Sequence, residues 1–424
     1  MQIWFHIDVN SAFLSWTALD LLNAGSHEDI REIPAIIGGD IHKRHGVVLA
    51  KSTSAKAFGI RTGEPVTDAY KKCPYLKNYP PNHHRYKAYS QKLMKLLGTY
   101  SPEIIQYSID ECFMRYIPSE PAGDEQEIRR MSVSAAKEIK DRIRQELKFT
   151  VNIGISYNKL LAKMASDFEK PDKVHTLFPD EIRKKMWPLP AGELFMVGPS
   201  TADRLRLLGI KTIGDLACTD PEILTSHLKS HGKMIWEYAN GIEGAEIDGR
   251  AKNENKGIGN MTTLSSDVSD KKEIFKILRE LAEKVARRLR QSEVLAGLVC
   301  VEIKYYNFKS ATHQTQLLTP SNGSSDLYQA ACRLFEECWS GEPVRLLGIR
   351  TSKLCTAQEQ QLNLFDMEKS EKMLKLDQAL DAIRGRYGEN AVVRGSRMKA
   401  EKLGWEQEIP DEDFNHMSRG KRHE

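Results

Sequence analysis

Two adjacent acids, Asp110 and Glu111, interrupt the stretch 106–116 (QYSIDECFMRY). Before them Ile105, Tyr107 and Ile109 alternate with polar residues, and after them Cys112, Phe113 and Met114 form an apolar run. This reads as two strands with carboxylates at the bend between them. Successive strand residues point to opposite faces, so neighbouring acids share one site only where the backbone turns or a strand ends. Taken alone, an Asp-Glu pair is better explained as a solvated turn. A second stretch, 1–8 (MQIWFHID), shifts that balance, because it reads as a strand ending in Asp8 and leads into an amphipathic segment over 12–22. Beside the bend, it would bring Asp8, Asp110 and Glu111 into one cluster. Hard divalent ions such as Mg²⁺ are held by a few carboxylates plus substrate phosphate oxygens, and two such ions clamp an in-line phosphoryl displacement.

Asp8 combined with Ser108-Ile109-Asp110-Glu111 resembles the palm of the Y-family translesion DNA polymerases, and the likeness covers nearly the whole chain. The resemblance implies an α+β fold: a palm with an antiparallel sheet and inserted fingers, a helix-hairpin-helix thumb, and a small α/β little finger. It implies error-prone addition of deoxynucleotides to the primer end of a primer-template DNA, in DNA repair, damage tolerance and the SOS response. It further implies two Mg²⁺ ions held by the catalytic acids Asp8, Asp110 and Glu111, with the backbone carbonyl of Val9. Phe13, five residues past Asp8, would be the steric gate against a ribose 2′-hydroxyl; without the resemblance it reads as a core aromatic. Ala12 departs from the family, where one branch usually carries an aromatic residue.

The chain has room for more than one domain at 424 residues, and its 40% hydrophobic content is ample for buried cores. No apolar run approaches the roughly 20 residues that span a bilayer, and the first residues lack the charged-then-apolar order of a signal peptide. A cytoplasmic protein without a membrane partner is expected. Seven cysteines without a Cys-x-x-Cys argue against a disulfide framework or a zinc ribbon. A net charge of +4 is compatible with nucleic acid without pointing to it.

Domain limits follow from composition and periodicity. The palm is expected over 1–188, with fingers inserted at about 31–78, where nine Lys or Arg face four Asp or Glu. There Ser52-Thr53-Ser54 is placed to cap a short helix that Gly59 stops. By resemblance Thr53 and Lys56 occupy the positions where a Tyr and an Arg hold the triphosphate in one branch; here the chain looks more like the UmuC branch. Lysine keeps the charge but loses the planar fork. Helices are expected over 85–100 and 124–148 and a strand over 149–156, giving an antiparallel sheet with helices on one face. A helix over 158–168 ends at Glu169-Lys170-Pro171-Asp172, and the resemblance assigns Lys170 to the triphosphate, although Asp172-Lys173 replaces the family's Asn-Gly.

The stretch 194–216 has the form of a helix-hairpin-helix within a thumb over 189–249. Its turn, with Gly198 and Ser200, exposes amides suited to a DNA phosphate. Met196 stands where the first glycine is usual. A polar linker over 250–256 leads to a little finger over 257–352, with helices over 273–290 and 326–338 and strands over 298–306 and 344–351. Arg287 and Arg288 on its basic helix are expected to contact the DNA backbone. A flexible tail over 353–424, with one possible helix over 375–387, carries Gln361-Leu362-Asn363-Leu364-Phe365. That peptide looks like the sliding-clamp motif of bacterial polymerases, with Gln361, Leu362, Leu364 and Phe365 entering an apolar cleft. The expected enzyme is a monomer. Two other readings remain open: a catalytically weak DNA-binding scaffold, and a different palm-type enzyme such as a cyclase.

Overall fold

In the computed structural model the described residues are 2–40, 46–118, 123–244, 257–356, 367–388 and 391–392. They form two compact units that divide near residue 253. The first opens with β1 (Ile3–Val9) and α1 (Ala12–Asn23). An inserted segment follows, with β2 (Ala35–Gly38), β3 (Val48–Lys51), α2 (Thr53–Ala57), α3 (Val66–Lys72) and β4 (Lys77–Tyr79). The chain returns through α4 (His83–Leu97), β5 (Ile104–Gln106), β6 (Glu111–Tyr116), α5 (Glu125–Leu147), β7 (Val151–Ser156), α6 (Lys159–Ser166) and β8 (Val174–Thr176). After short helical turns come α7 (Pro199–Leu207), α8 (Ile213–Cys218), α9 (Pro221–Leu228) and α10 (Ser230–Ala239).

The palm sheet has the order β5-β6-β1-β7-β8, antiparallel except at the β7–β8 edge. Strand alternation divides β1 between two cores. Ile3, Phe5, Ile7 and Val9 join Cys112 and Met114 beneath α1, α4 and α5. Trp4 and Phe113 face the other way, into a core built with α6 and the helices α7 to α10. Helices therefore cover both faces of the sheet, where the sequence reading placed them on one. Alternation puts His6, Asp8 and Glu111 on the α6 side with Trp4 and Phe113.

Close approach of α6 depends on one glycine. Gly154 of β7 pairs with His6 in register. A Cβ at Gly154 would lie 1.9 Å from the carbonyl oxygen of Ala162 and 2.4 Å from the amide nitrogen of Ser166. Only a residue without a side chain lets α6 lie this near β1 and β7. The helix is capped by Asn158, whose side chain accepts from the Leu161 N–H, and all eight of its residues are buried.

In the inserted segment β2 pairs antiparallel with β3 and parallel with β4, around a small core of Ile36, Val48, Val66 and Leu76. Ser52 caps α2 as expected, accepting from the Ala55 N–H at 3.0 Å and also from the Ala35 N–H at 3.1 Å. The helix ends at Gly59 with φ of 75°.

The second unit follows a βαββαβ order: β9 (Gly257–Val268), α11 (Lys271–Gln291), β10 (Leu295–Tyr305), β11 (Ser310–Ser321), α12 (Ser324–Cys338) and β12 (Val344–Cys355). Its antiparallel sheet runs β11-β10-β12-β9, and α11 and α12 pack into one core with it. A further helix, α13 (Met367–Tyr387), spans the possible helix over 375–387 in the tail. It is docked by charge: Arg290 of α11 bonds Asp381 at 2.7 Å and Asp377 at 3.2 Å, and Asp377 also accepts from the Ser324 N–H. No helix among the described residues is long and apolar enough to cross a membrane.

Gly154→Ala is expected to lower stability by about 1–3 kcal/mol or more through overpacking against α6. A denaturant midpoint equal to wild type would show that α6 has room to give.

Candidate active site

Asp8 and Glu111 are directly opposed across the β1–β6 ladder. Directly opposed residues share a face, so this register alone brings the two carboxylates together. Asp110 sits one residue earlier, in the bend, and its carbonyl accepts the Val9 N–H at 3.0 Å. Ser108 shapes the bend. Its hydroxyl accepts from the N–H groups of Asp110 and Glu111, at 3.2 and 3.0 Å, and donates to Asp110 Oδ1 at 2.6 Å. The adjacent-acid problem is solved as the sequence required: one acid ends the turn and the next begins the strand.

Three partly buried acids repel one another, and the surrounding cations answer that repulsion. Burial pushes the Asp8 carboxyl up to about 7; Lys170 opposes the rise, while Glu111 and Asp110 add to it. Burial also raises Asp110, against its bond from Ser108. Glu111 goes the other way. Burial by itself would raise it, but the His6 bond and the Lys163 charge hold it well below the usual carboxylate range. Lys163 Nζ bonds Glu111 Oε2, and Lys170 Nζ bonds Asp8 Oδ2 and lies 2.8 Å from Asp167. His6 Nε2 lies 3.1 Å from Glu111 Oε2, and burial lowers the His6 pKa to about 4. Lysine ammoniums sit on the acids, and among the described residues no three His, Cys, Asp or Glu groups converge as a ready ligand set.

Asn152, opposite Asp8 on β7, anchors the Lys170 loop. Its amide donates to the carbonyls of Ser166 and Glu169 at 2.9 and 2.6 Å, and its oxygen accepts from the Lys173 N–H. His6, Asn152, Lys163 and Ser166 were absent from the sequence reading. The available signals were a polar Asn within an apolar strand and a His preceding Asp8 by two residues.

An impB/mucB/samB family model matches residues 7–167, and the model of that family's C-terminal domain matches residues 255–364. DNA polymerase IV of Clostridium acetobutylicum is 47% identical over 400 residues, covering 94% of this chain and 99% of that protein. DNA polymerase IV 1 of Bacillus subtilis is 35% identical over 402 residues, covering 94% of each. The chain belongs to the bacterial, DinB-like branch of the Y-family DNA polymerases. It is a DNA-directed DNA polymerase. A solved Y-family DNA polymerase chimera shares the fold, with a TM-score of 0.70 at 20% identity over 84% of this chain and 99% of that one. The UmuC-like reading prompted by Thr53 and Lys56 gives way to these polymerase IV relatives.

The other expected site residues of the polymerase are placed as follows. Phe13, half-buried, stacks on Tyr86 of α4 at 4.5 Å and meets His83 edge-on at 5.7 Å. Thr53 opens α2 and Lys56 lies on it, both exposed. Lys170 is 38% exposed. Gly198 precedes α7, Pro199 is its first residue, and Ser200 is exposed in the first turn, where N–H groups lack intrahelical partners. Met196 has φ of 70°, the conformation that the missing glycine normally supplies.

Arg288 donates to the Gly259 carbonyl at 2.9 Å and Arg287 lies 3.9 Å from Asp381. Gln361, Leu362, Leu364 and Phe365 lie outside the described residues.

Proposed function

We propose that this polymerase extends a primer-template DNA with deoxynucleoside triphosphates, error-prone and in damage tolerance, as a cytoplasmic monomer using two Mg²⁺ ions. The observation that carries the reading is the register of Asp8 opposite Glu111, with Asp110 tied to Val9. Hard carboxylate oxygens crowded together suit hard divalent ions. Asp8, Asp110, Glu111 and the Val9 carbonyl would hold them. When bound, such ions stabilise the charge that develops on the attacking primer 3′-oxygen and the leaving pyrophosphate oxygen.

The chain's own groups supply the rest of the mechanism. Asp8, raised to about 7, is poised between charge states and is drawn to the ionised form by any added cation. Lys170, on an accessible loop, is free to exchange Asp8 for triphosphate oxygens. Thr53 and Lys56 face solvent and offer a hydroxyl and a charge to the same phosphates. The Gly198–Ser200 turn offers amides to a DNA phosphate, which positions the duplex without reading its sequence.

Asp110→Ala or Glu111→Ala should abolish nucleotide incorporation and leave primer-template binding intact, because the lost term is charge stabilisation at the reacting oxygens. Primer extension by either purified variant would sink the reading. The same assay, run with one nucleotide at a time, reads the error rate; incorporation of the complementary base alone would remove the error-prone part.

Phe13→Ala should admit ribonucleotides while deoxynucleotides remain accepted. It also removes the stack on Tyr86, so a stability loss of about 3 kcal/mol is expected beside the change in sugar choice. Unchanged discrimination in a folded variant would leave Phe13 as packing between α1 and α4.

Gln361, Leu362, Leu364 and Phe365 are proposed to bind the sliding clamp. Replacing Leu364 and Phe365 by Ala should remove clamp binding, at a cost of roughly 2 kcal/mol or more, and spare unstimulated synthesis. Calorimetric titration with clamp showing unaltered affinity would return these residues to another role.

A further inference from the structure

Glu111 is held from behind, and on one oxygen. His6 Nε2 lies 3.1 Å from Oε2 and Lys163 Nζ bonds the same atom. The far ends of these donors are fixed as well. His6 Nδ1 lies 2.7 Å from Ser166 Oγ, and that hydroxyl lies 2.7 Å from the Lys163 carbonyl, so the contacts close on themselves through one turn of α6. The Lys163 ammonium is also caged by aromatic rings, 5.2 Å from the Tyr107 centroid and 5.4 Å from that of Phe195, within cation–π range. Its side chain is 11% exposed, against 38% for Lys170.

We propose that Lys163 is a positioning residue of the polymerase centre: with His6 it occupies Oε2 of Glu111, so that the carboxylate presents Oε1 alone to a divalent cation. This rests on the reading of Asp8, Asp110 and Glu111 as the ion-holding acids. An ammonium on one oxygen reduces the negative potential offered to an ion, and a pinned carboxylate cannot turn to chelate with both oxygens. Ion binding is thereby weak until triphosphate arrives with oxygens of its own. Loss of Lys163 has two effects of opposite sign. Cation affinity without nucleotide rises, because Oε2 and its full charge become available, and incorporation slows, because the carboxylate loses its orientation. A residue that merely supported the fold would weaken both.

The test is Mn²⁺ titration of the full chain, without DNA or nucleotide, read by the paramagnetic resonance of the free ion and set beside single-turnover incorporation. Lys163→Met is expected to tighten Mn²⁺ about fivefold or more by removing a neighbouring positive charge, and to slow incorporation about tenfold or more through misorientation. Lys163→Arg should restore both towards wild type. Unchanged or weaker Mn²⁺ binding by folded Lys163→Met overturns the proposal. Should that variant fail to fold, Lys163→Gln decides by the same sign. Glu111→Ala separates the two layers: a wild-type titration that matches Glu111→Ala removes the metal reading and the proposal with it. A Glu111-dependent titration that the Lys163 variants leave in place removes the proposal alone.

Discussion

Like charges opposed across a strand pair are destabilising, and this sheet opposes Asp8 to Glu111 with Asp110 one residue away. At the spacing of neighbouring strands such a pair costs roughly 3–4 kcal/mol at an intermediate effective dielectric. The fold contains that cost with one helix. Lys163 and Ser166 come from α6, and Lys170 from the loop that follows it. Gly154 sets how near the helix lies, and Asn152 ties its end to the strand beside Asp8. Removing the sheet's second layer would leave three partly buried acids without their counter-charges. Breaking one partner of a buried pair such as Lys163–Glu111 costs about 3–5 kcal/mol, because the remaining charge is stranded.

The two lysines differ in kind although both sit on acids of the same cluster. Lys163 is enclosed by two rings and shares its helical turn with the hydroxyl that touches His6. Lys170 stands on an accessible loop and divides its charge between Asp8 and Asp167. An exposed ion pair is screened and exchanges partners at little cost, whereas a buried one persists. One lysine is therefore part of the frame, and the other is available to a substrate.

The acids were legible because their signals are local. Alternation over 1–8 and 105–116 predicts two strands, and two strands with acids at their ends predict a cluster. Capping by Ser52 and the stop at Gly59 were legible for the same reason. The cations were not. Lys163 looks like any lysine in a helix, and its burial follows only from the close approach that Gly154 permits. In the second unit β10 and β12 were found, but β9 and β11 were missed. Their sequences, GIGNMTTLSSDV and SATHQTQLLTPS, are rich in Ser and Thr, and both are edge strands without a continuous apolar run. The docking of α13 was hidden because it rests on Arg290 reaching Asp377 and Asp381, some ninety positions away, rather than on an apolar stripe.

The departure at Met196 was readable as a missing glycine, yet its consequence needed the structure. A bulky residue with positive φ carries strain of about 1–2 kcal/mol, and it persists only where neighbours over-determine the turn. Those neighbours are in place. Phe195 donates its N–H to Met164 Sδ at 3.3 Å, stacks on Tyr238 at 6.1 Å and lays its ring over Lys163. Val197 is buried in the core that also holds Trp4 and Phe113. The turn that presents Gly198 and Ser200 is thus fixed to the same helix that steadies Glu111. One core orients both the Gly198–Ser200 turn and the Glu111 carboxylate, so an altered side chain at Phe195 would be felt at both.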